Sequence, residues 1–310
     1  METKKSASPS IITIATQKGG VGKTSLTVNL AEGFASLDKK VLVLDLDYQG
    51  DASDWFGAAD AIEDSRRSTT WGLVKGKKIP DLRVSTNIPN VDVIGSDLSL
   101  NYAIQKYNGQ QEQFNVVKRI LECKEKDEYD IILIDTHPSL DPLLTSALNY
   151  SHYYLVPMFP EKHPFKGLEY LMRIVASVKS TQNPMLFFLG VVITKYKKKS
   201  KSHNDYLEVI KEHTRDSGIE LIEPFIRDTD AMASAAGAQT PIGRYFSDLP
   251  VKSKDNADSD YKKLAENLLT HLKGRRMGRP QKVLDPARIK VMNEKARGDE
   301  FADSFGSFCF

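Results

Sequence analysis

The sequence has 310 residues, enough to bury a substantial core in one large domain or two small ones. Apolar residues make up 40% and charged residues 27%, the balance of a soluble globular protein. Net charge is only +2, so the chain as a whole is no polycation, and any case for nucleic acid must come from local clusters.

In chain order, IITIAT (11 to 16) is apolar, β-branched and short, and predicts a buried strand. A glycine-rich loop follows, then a helix over about 24 to 36 with Leu26, Leu30 and Phe34 at near-helical spacing. VLVLDLD (41 to 47) is a second continuous apolar strand ending in acids, and 58 to 90 is polar with turn signals. VDVIGSD predicts a third strand, and a helix near 112 to 126 leads into DIILID (130 to 135). YYLVPMF (153 to 159), a helix over about 164 to 179 and LFFLGVVIT (186 to 194) continue the alternation. A helix near 203 to 216, a strand near 219 to 222 and a long helix at about 257 to 273 complete it.

Strands apolar throughout and alternating with amphipathic helices predict an α/β fold, a mostly parallel twisted sheet with helices on both faces. Ligands of such sheets bind beyond the carboxyl ends of the strands. Lys18, Asp47 and Asp135 all lie at strand ends and are expected to converge there. The organisation expected is an extension over 1–10, one domain over 11–273 and a basic tail over 274–310, with a short helix at 286 to 297. Cys123 and Cys309 lie far apart and form no disulfide framework, the polar METKKSASPS start is no signal peptide, and no apolar run approaches the ~20 residues a spanning helix needs. The expectation is a soluble cytoplasmic protein without a membrane partner.

TIATQKGGVGKTS (13 to 25) approaches Gly-x-x-x-x-Gly-Lys-[Ser/Thr], with Gln17 where the first glycine belongs. A glycine-rich turn between strand and helix lets backbone N–H groups point at phosphate oxygens, and the helix start adds partial positive charge. Gly19, Gly20 and Gly22 free the turn, Lys23 is placed for the β- and γ-phosphates, and the Thr24 hydroxyl for Mg²⁺. Asp135 closes an apolar strand where a P-loop NTPase supports the metal. Asp45 and Asp47 both stand at the end of the second strand, and Asp47, the further out, is the candidate to orient water. Lys18, five residues before Lys23, is either a solvated rim lysine or a group that reaches a second subunit's nucleotide, as an arginine finger does.

Lys18 to Thr24, K-G-G-V-G-K-T, resembles the deviant Walker A motif of the ParA/MinD family of P-loop ATPases. VLVLDLDYQGDAS (41 to 53) is similar to that family's second motif, and YDIILIDTHPSLDPLLTSAL (129 to 148) resembles its Walker B. LVPMFPEKHPFKGL (155 to 168) and GVVITKY (190 to 196) resemble later segments, so the likeness covers about 10 to 272. It implies ATP and Mg²⁺ held by Lys18, Gly19, Gly20, Val21, Gly22, Lys23, Thr24 and Ser25. It makes Asp47 and Asp135 metal-supporting, with Lys18, Lys23 and Asp47 serving hydrolysis. It further implies an ATP-dependent homodimer, nonspecific DNA binding on the nucleoid and a centromere-binding ParB-like partner. Tyr48, Asp51, Ser25 and His137 depart from the family pattern without removing a charged group.

DNA binding needs Lys and Arg against phosphates. The candidates are Lys195, Lys197, Lys198, Lys199 and Lys201, with Arg227, Lys262 and Lys263. Arg275, Arg276, Gly278, Arg279, Pro280 and Lys282 form either a flexible basic linker or an arm resembling an AT-hook. The rivals to partition are an orphan ParA-like ATPase for another cargo and a MinD-like ATPase on a membrane surface.

Overall fold

A computed structural model of the protein describes residues 8–107, 110–139, 141–247, 257–274, 284–285, 287 and 289–291. Among these, the strands are β1 (Ser10–Ile14), β2 (Val41–Asp45), β3 (Val84–Ser85), β4 (Val91–Ile94), β5 (Ile131–Asp135), β6 (Tyr153–Met158), β7 (Phe187–Ile193) and β8 (Leu221–Ile222). They form one sheet in the order β3-β4-β2-β5-β1-β6-β7-β8. The pairings are parallel apart from the edge pair of β3 with β4. The strands adjacent to β1, namely β5 and β6, come from much later in the sequence, so every neighbour contact at the centre is long-range.

The continuous apolar strands serve two faces because side chains alternate along a strand. Ile12 and Ile14, Val41 and Val43, and Leu133 pack with Leu26, Leu30 and Phe34 of the helix Lys23–Ala35. The same cluster takes Tyr261, Leu264 and Leu268 of the helix Ala257–Gly274. The alternate residues Ile11, Leu42, Leu44, Ile132 and Ile134 pack with Val117, Ile120 and Leu143. Beyond β1, Tyr154, Val156 and Val191 meet Leu168, Leu171 and Val175 of the helix Lys166–Thr181. Each large aliphatic side chain so buried contributes roughly 1.5–3 kcal/mol.

The expected alternation is present, with the unexpected helices Asp51–Trp55, Ser99–Lys106, Pro142–Tyr150, Asp230–Gly237 and Ile242–Ser247 added, and three of the expected segments differ. The second strand stops at Asp45, which leaves Asp47 in the loop beyond it. The expected helix over 112 to 126 is broken into a 3-10 turn Gln111–Asn115, a helix Val116–Leu121 and a second turn Lys124–Glu128. The polar stretch 58 to 90 holds the helices Ala59–Ser65, Thr69–Lys75 and Ile79–Leu82 and the strand β3, and it buries Leu73, Ile79 and Leu82 completely. Elements of four to seven residues are too short to display a helical period.

Beyond 273, Ile289 is 1% exposed and joins the cluster of Leu171 and Ile210, with Leu284 packed against it. Residues 287 and 289–291 are helical, and Arg276, Arg279 and the rest of the basic arm lie outside the described residues.

Candidate active site

Parallel register brings the site together. Ile14 of β1 and Asp45 of β2 both lie level with Asp135 of β5, so three strands end at one height and their loops leave side by side. The loop after β1 runs directly into the helix Lys23–Ala35. Gly20 (φ 74°) and Gly22 (φ 83°) adopt the left-handed conformation there, which glycine enters without steric cost. Alternating backbone of this kind makes a concave nest of N–H groups at a helix start, suited to an anion.

Lys23 is 6% exposed beneath that nest. Burial lowers the pKa of its ammonium, while the carboxylates of Asp135 and then Asp47 favour the charged form. Asp135 is fully buried, and its Oδ1 accepts a hydrogen bond from Thr27 Oγ1 at 3.0 Å. Burial pushes the Asp135 carboxyl up to about 6, against the lowering effect of the Thr24 hydroxyl and Lys23 beside it. Its Oδ2 is buried and meets no hydrogen-bond partner. A buried carboxylate oxygen left unpaired is costly, so the place calls for a cation or an ordered water. A hydroxyl and carboxylates are hard oxygen donors, and together with phosphate oxygens they fit Mg²⁺, which takes few protein ligands.

Asp45 is occupied within the protein: its Oδ1 accepts from the Asp47 N–H at 2.9 Å and its Oδ2 from Ser53 Oγ at 3.2 Å. Burial, with the charge of Asp135 behind it, holds its pKa well above the carboxylate range. Asp47 is 7% exposed and accepts the Gln49 N–H at 3.0 Å, which ties a turn above the strand ends. Asp45 therefore shapes the loop that presents Asp47.

Lys18 pairs with Glu161 of the same chain, in the loop after β6. Burial and then Lys166 lower its pKa. Gly19 and Gly20 are exposed on the loop, Val21 is buried, and the Ser25 hydroxyl lies 3.4 Å from Tyr261 Oη. Ring centroids of Tyr48 and His137 are 4.2 Å apart, so two departures from the family pattern pack on each other.

The basic residues divide. Lys198, Lys199, Lys201, Lys262 and Lys263 are exposed. Arg227 makes a two-pronged pair with Asp260, Nε to Oδ2 at 2.6 Å and Nη2 to Oδ1 at 2.8 Å, which fastens the last helix. Lys197 pairs with Asp228 at 3.3 Å. Lys195 bends back to the glycine loop and donates to the Gly20 carbonyl at 2.7 Å. Thr27, Ser53, Glu161 and Thr194 had escaped the sequence reading. Thr27, one helical turn beyond Lys23, could have been placed from spacing, but the other three reach the site only through the fold.

A parallel sheet, a glycine nest over a buried lysine and an acid on the neighbouring strand define a P-loop nucleotide-binding protein. Residues 9–188 match a protein family described as an AAA domain. The chain is 30% identical over 216 residues to the chromosome partitioning protein ParA of Caulobacter vibrioides, covering 69% of this chain and 80% of that one. It is 33% identical over 214 residues to the sporulation initiation inhibitor protein Soj of Bacillus subtilis, covering 69% and 83%. A plasmid partition protein from Borrelia burgdorferi bound to AMPPNP superposes with a TM-score of 0.67 at 26% identity, over 85% of this chain and 99% of that one. The chain belongs to the ParA/MinD family of P-loop ATPases.

Proposed function

We propose that this protein is a partition ATPase that binds MgATP, closes into a dimer on it, holds nonspecific DNA and lets go on hydrolysis. The observation that carries the reading is the convergence of buried Lys23, Asp47 and Asp135, with Asp135 Oδ2 unpartnered, under a glycine nest. The partition names of its relatives support the same reading.

In this reading the nest N–H groups and Lys23 neutralise the terminal phosphates, with Val21 and Ser25 lining the loop. Thr24 and Asp135 hold Mg²⁺, which when bound offsets phosphate charge. Asp47 accepts a hydrogen bond from the attacking water and orients it. Lys18 leaves Glu161 and reaches the nucleotide of a second copy, so ATP is contacted from both subunits and its hydrolysis loosens the dimer. Lys198, Lys199 and Lys201 face DNA phosphates, and a centromere-binding ParB-like protein stimulates turnover. The protein works in the cytoplasm on the nucleoid. Among the described residues no helix is long and apolar enough to cross a membrane.

The test is ATP turnover by purified protein, alone, with duplex DNA, and with both DNA and the partner. Slow turnover that rises with each addition is expected. Turnover absent in all three mixtures refutes the reading.

A further inference from the structure

Two residues at the end of β7 hold the outer side of the nucleotide loop. Thr194 is 2% exposed and its Oγ1 donates to the Val21 carbonyl at 2.7 Å, with Met158 O further off at 3.4 Å. Lys195, next in sequence, donates from Nζ to the Gly20 carbonyl at 2.7 Å. Its Cε lies 3.7 Å from where a Cβ on Gly22 would stand. Lys195 has φ 53°, a left-handed backbone uncommon for a residue with a side chain. From there the side chain, although exposed to solvent, lies along the loop with its ammonium on the Gly20 carbonyl.

A trans peptide unit is planar, with its C=O and the following N–H pointing opposite ways. Fixing the Gly20 carbonyl therefore fixes the Val21 N–H, and fixing the Val21 carbonyl fixes the Gly22 N–H. Both carbonyls are drawn outward to β7, so both N–H groups are directed to the concave side. Glycines leave these peptide units free to rotate, and the two donors remove that freedom before any ligand arrives.

We propose that Thr194 and Lys195 are positioning residues that preorganise the anion-binding amides of the loop. This rests on the ATP-site reading above. Lys195, though exposed like the lysines that follow it, thereby acts at the nucleotide loop through its bond to the Gly20 carbonyl.

The test titrates a fluorescent ATP analogue with Mg²⁺ into Lys195→Gly, Lys195→Arg, Thr194→Val and Thr194→Ser, with Lys23→Ala alongside. Glycine suits the left-handed backbone at 195, so Lys195→Gly removes the ammonium without straining the turn. Lys195→Gly and Thr194→Val should each weaken binding about fivefold, the worth of roughly one hydrogen bond. Single-turnover hydrolysis of saturated protein should change less than twofold, and the thermal midpoint of Lys195→Gly should not fall. Lys195→Arg and Thr194→Ser should bind like the parent. If Lys23→Ala loses binding while Lys195→Gly and Thr194→Val keep it, the bracing role is overturned and the ATP site stands. If the parent binds no ATP, or Lys23→Ala binds as well as the parent, the site reading falls and takes the bracing role with it. Loss of duplex DNA binding in Lys195→Gly with unchanged nucleotide affinity also overturns the proposal.

Discussion

Tyr48 stacks on His137, with ring centroids 4.2 Å apart and planes 26° from parallel. Tyr48 directly follows Asp47 and His137 stands two residues after Asp135, so the stack joins the loops that carry the two acids. Aromatic pairs of this kind contribute about 0.5–1.5 kcal/mol beyond the area they bury. Tyr48→Ala and His137→Ala should therefore be non-additive in stability by about that amount. A urea-unfolding double-mutant cycle measures it, and strict additivity would show that the rings only happen to be close.

The pairing of Lys18 with Glu161 gives two substitutions with opposite expected effects. Lys18→Ala should still bind nucleotide but stay monomeric with ATP. Glu161→Gln removes the partner that holds Lys18 within its own subunit. An exposed ion pair is worth up to about 1 kcal/mol, so dimerisation by Glu161→Gln should strengthen by about fivefold or less per site released. Light scattering across a protein dilution series with a nonhydrolysed ATP analogue reads both. Dimers formed by Lys18→Ala as readily as by the parent exclude a role for this lysine across the interface.

Stability should depend on Glu32, which lies on the helix behind the glycine loop. Its Oε2 accepts the Gly243 N–H at 3.1 Å. Burial and then Asp258 raise its pKa from an ordinary 4.5 to about 7, against the lowering effect of Arg244. Lys262, on the last helix, lines the same cleft. The folded chain thus keeps a proton on Glu32 that the unfolded chain gives up near its ordinary pKa. The stabilising contribution is fully present below about pH 4.5 and is lost as pH rises through about 7. The change is on the order of 3 kcal/mol. Glu32→Gln should flatten that part of the profile, as urea unfolding at pH 5 and pH 8 would report. An unchanged pH slope in the variant would place the titration elsewhere.

The basic residues near β7 should separate into two kinds. Replacing Lys198, Lys199 and Lys201 together by Gln should weaken duplex binding and reduce the slope of log affinity against log salt by about 2 to 3. Arg227→Ala should leave that slope alone and instead destabilise the fold by roughly 2 kcal/mol, because Asp260 loses its two-pronged partner. Filter binding over a salt series and thermal unfolding distinguish them. A salt slope lowered by Arg227→Ala would return that arginine to the DNA face.

Much of the fold was legible because the central strands are buried on both faces. IITIAT, VLVL and DIILID read as continuous apolar runs, and the glycine-rich turn after the first of them marks a strand-to-helix junction by itself. The stretch 58 to 90 was not legible, since short helices such as Ile79–Leu82 show no period even while burying Leu82 fully. Nor was Ile289, a single core side chain in a segment whose surroundings are basic and turn-rich.

By itself the sequence marked the candidate groups: Lys23 and Thr24 open the helix after the first strand, Asp47 lies just beyond the second and Asp135 ends a third, and the ends of parallel strands face one side. Which groups hold those in place was decided only by the tertiary structure. Lys18 and Glu161 are 143 residues apart, Val21 and Thr194 are 173, and Gly20 and Lys195 are 175. Local spacing cannot encode contacts at such separations. They follow from a strand order in which β6 lies beside β1 and β7 next to β6, an order fixed by how the whole set of apolar faces packs.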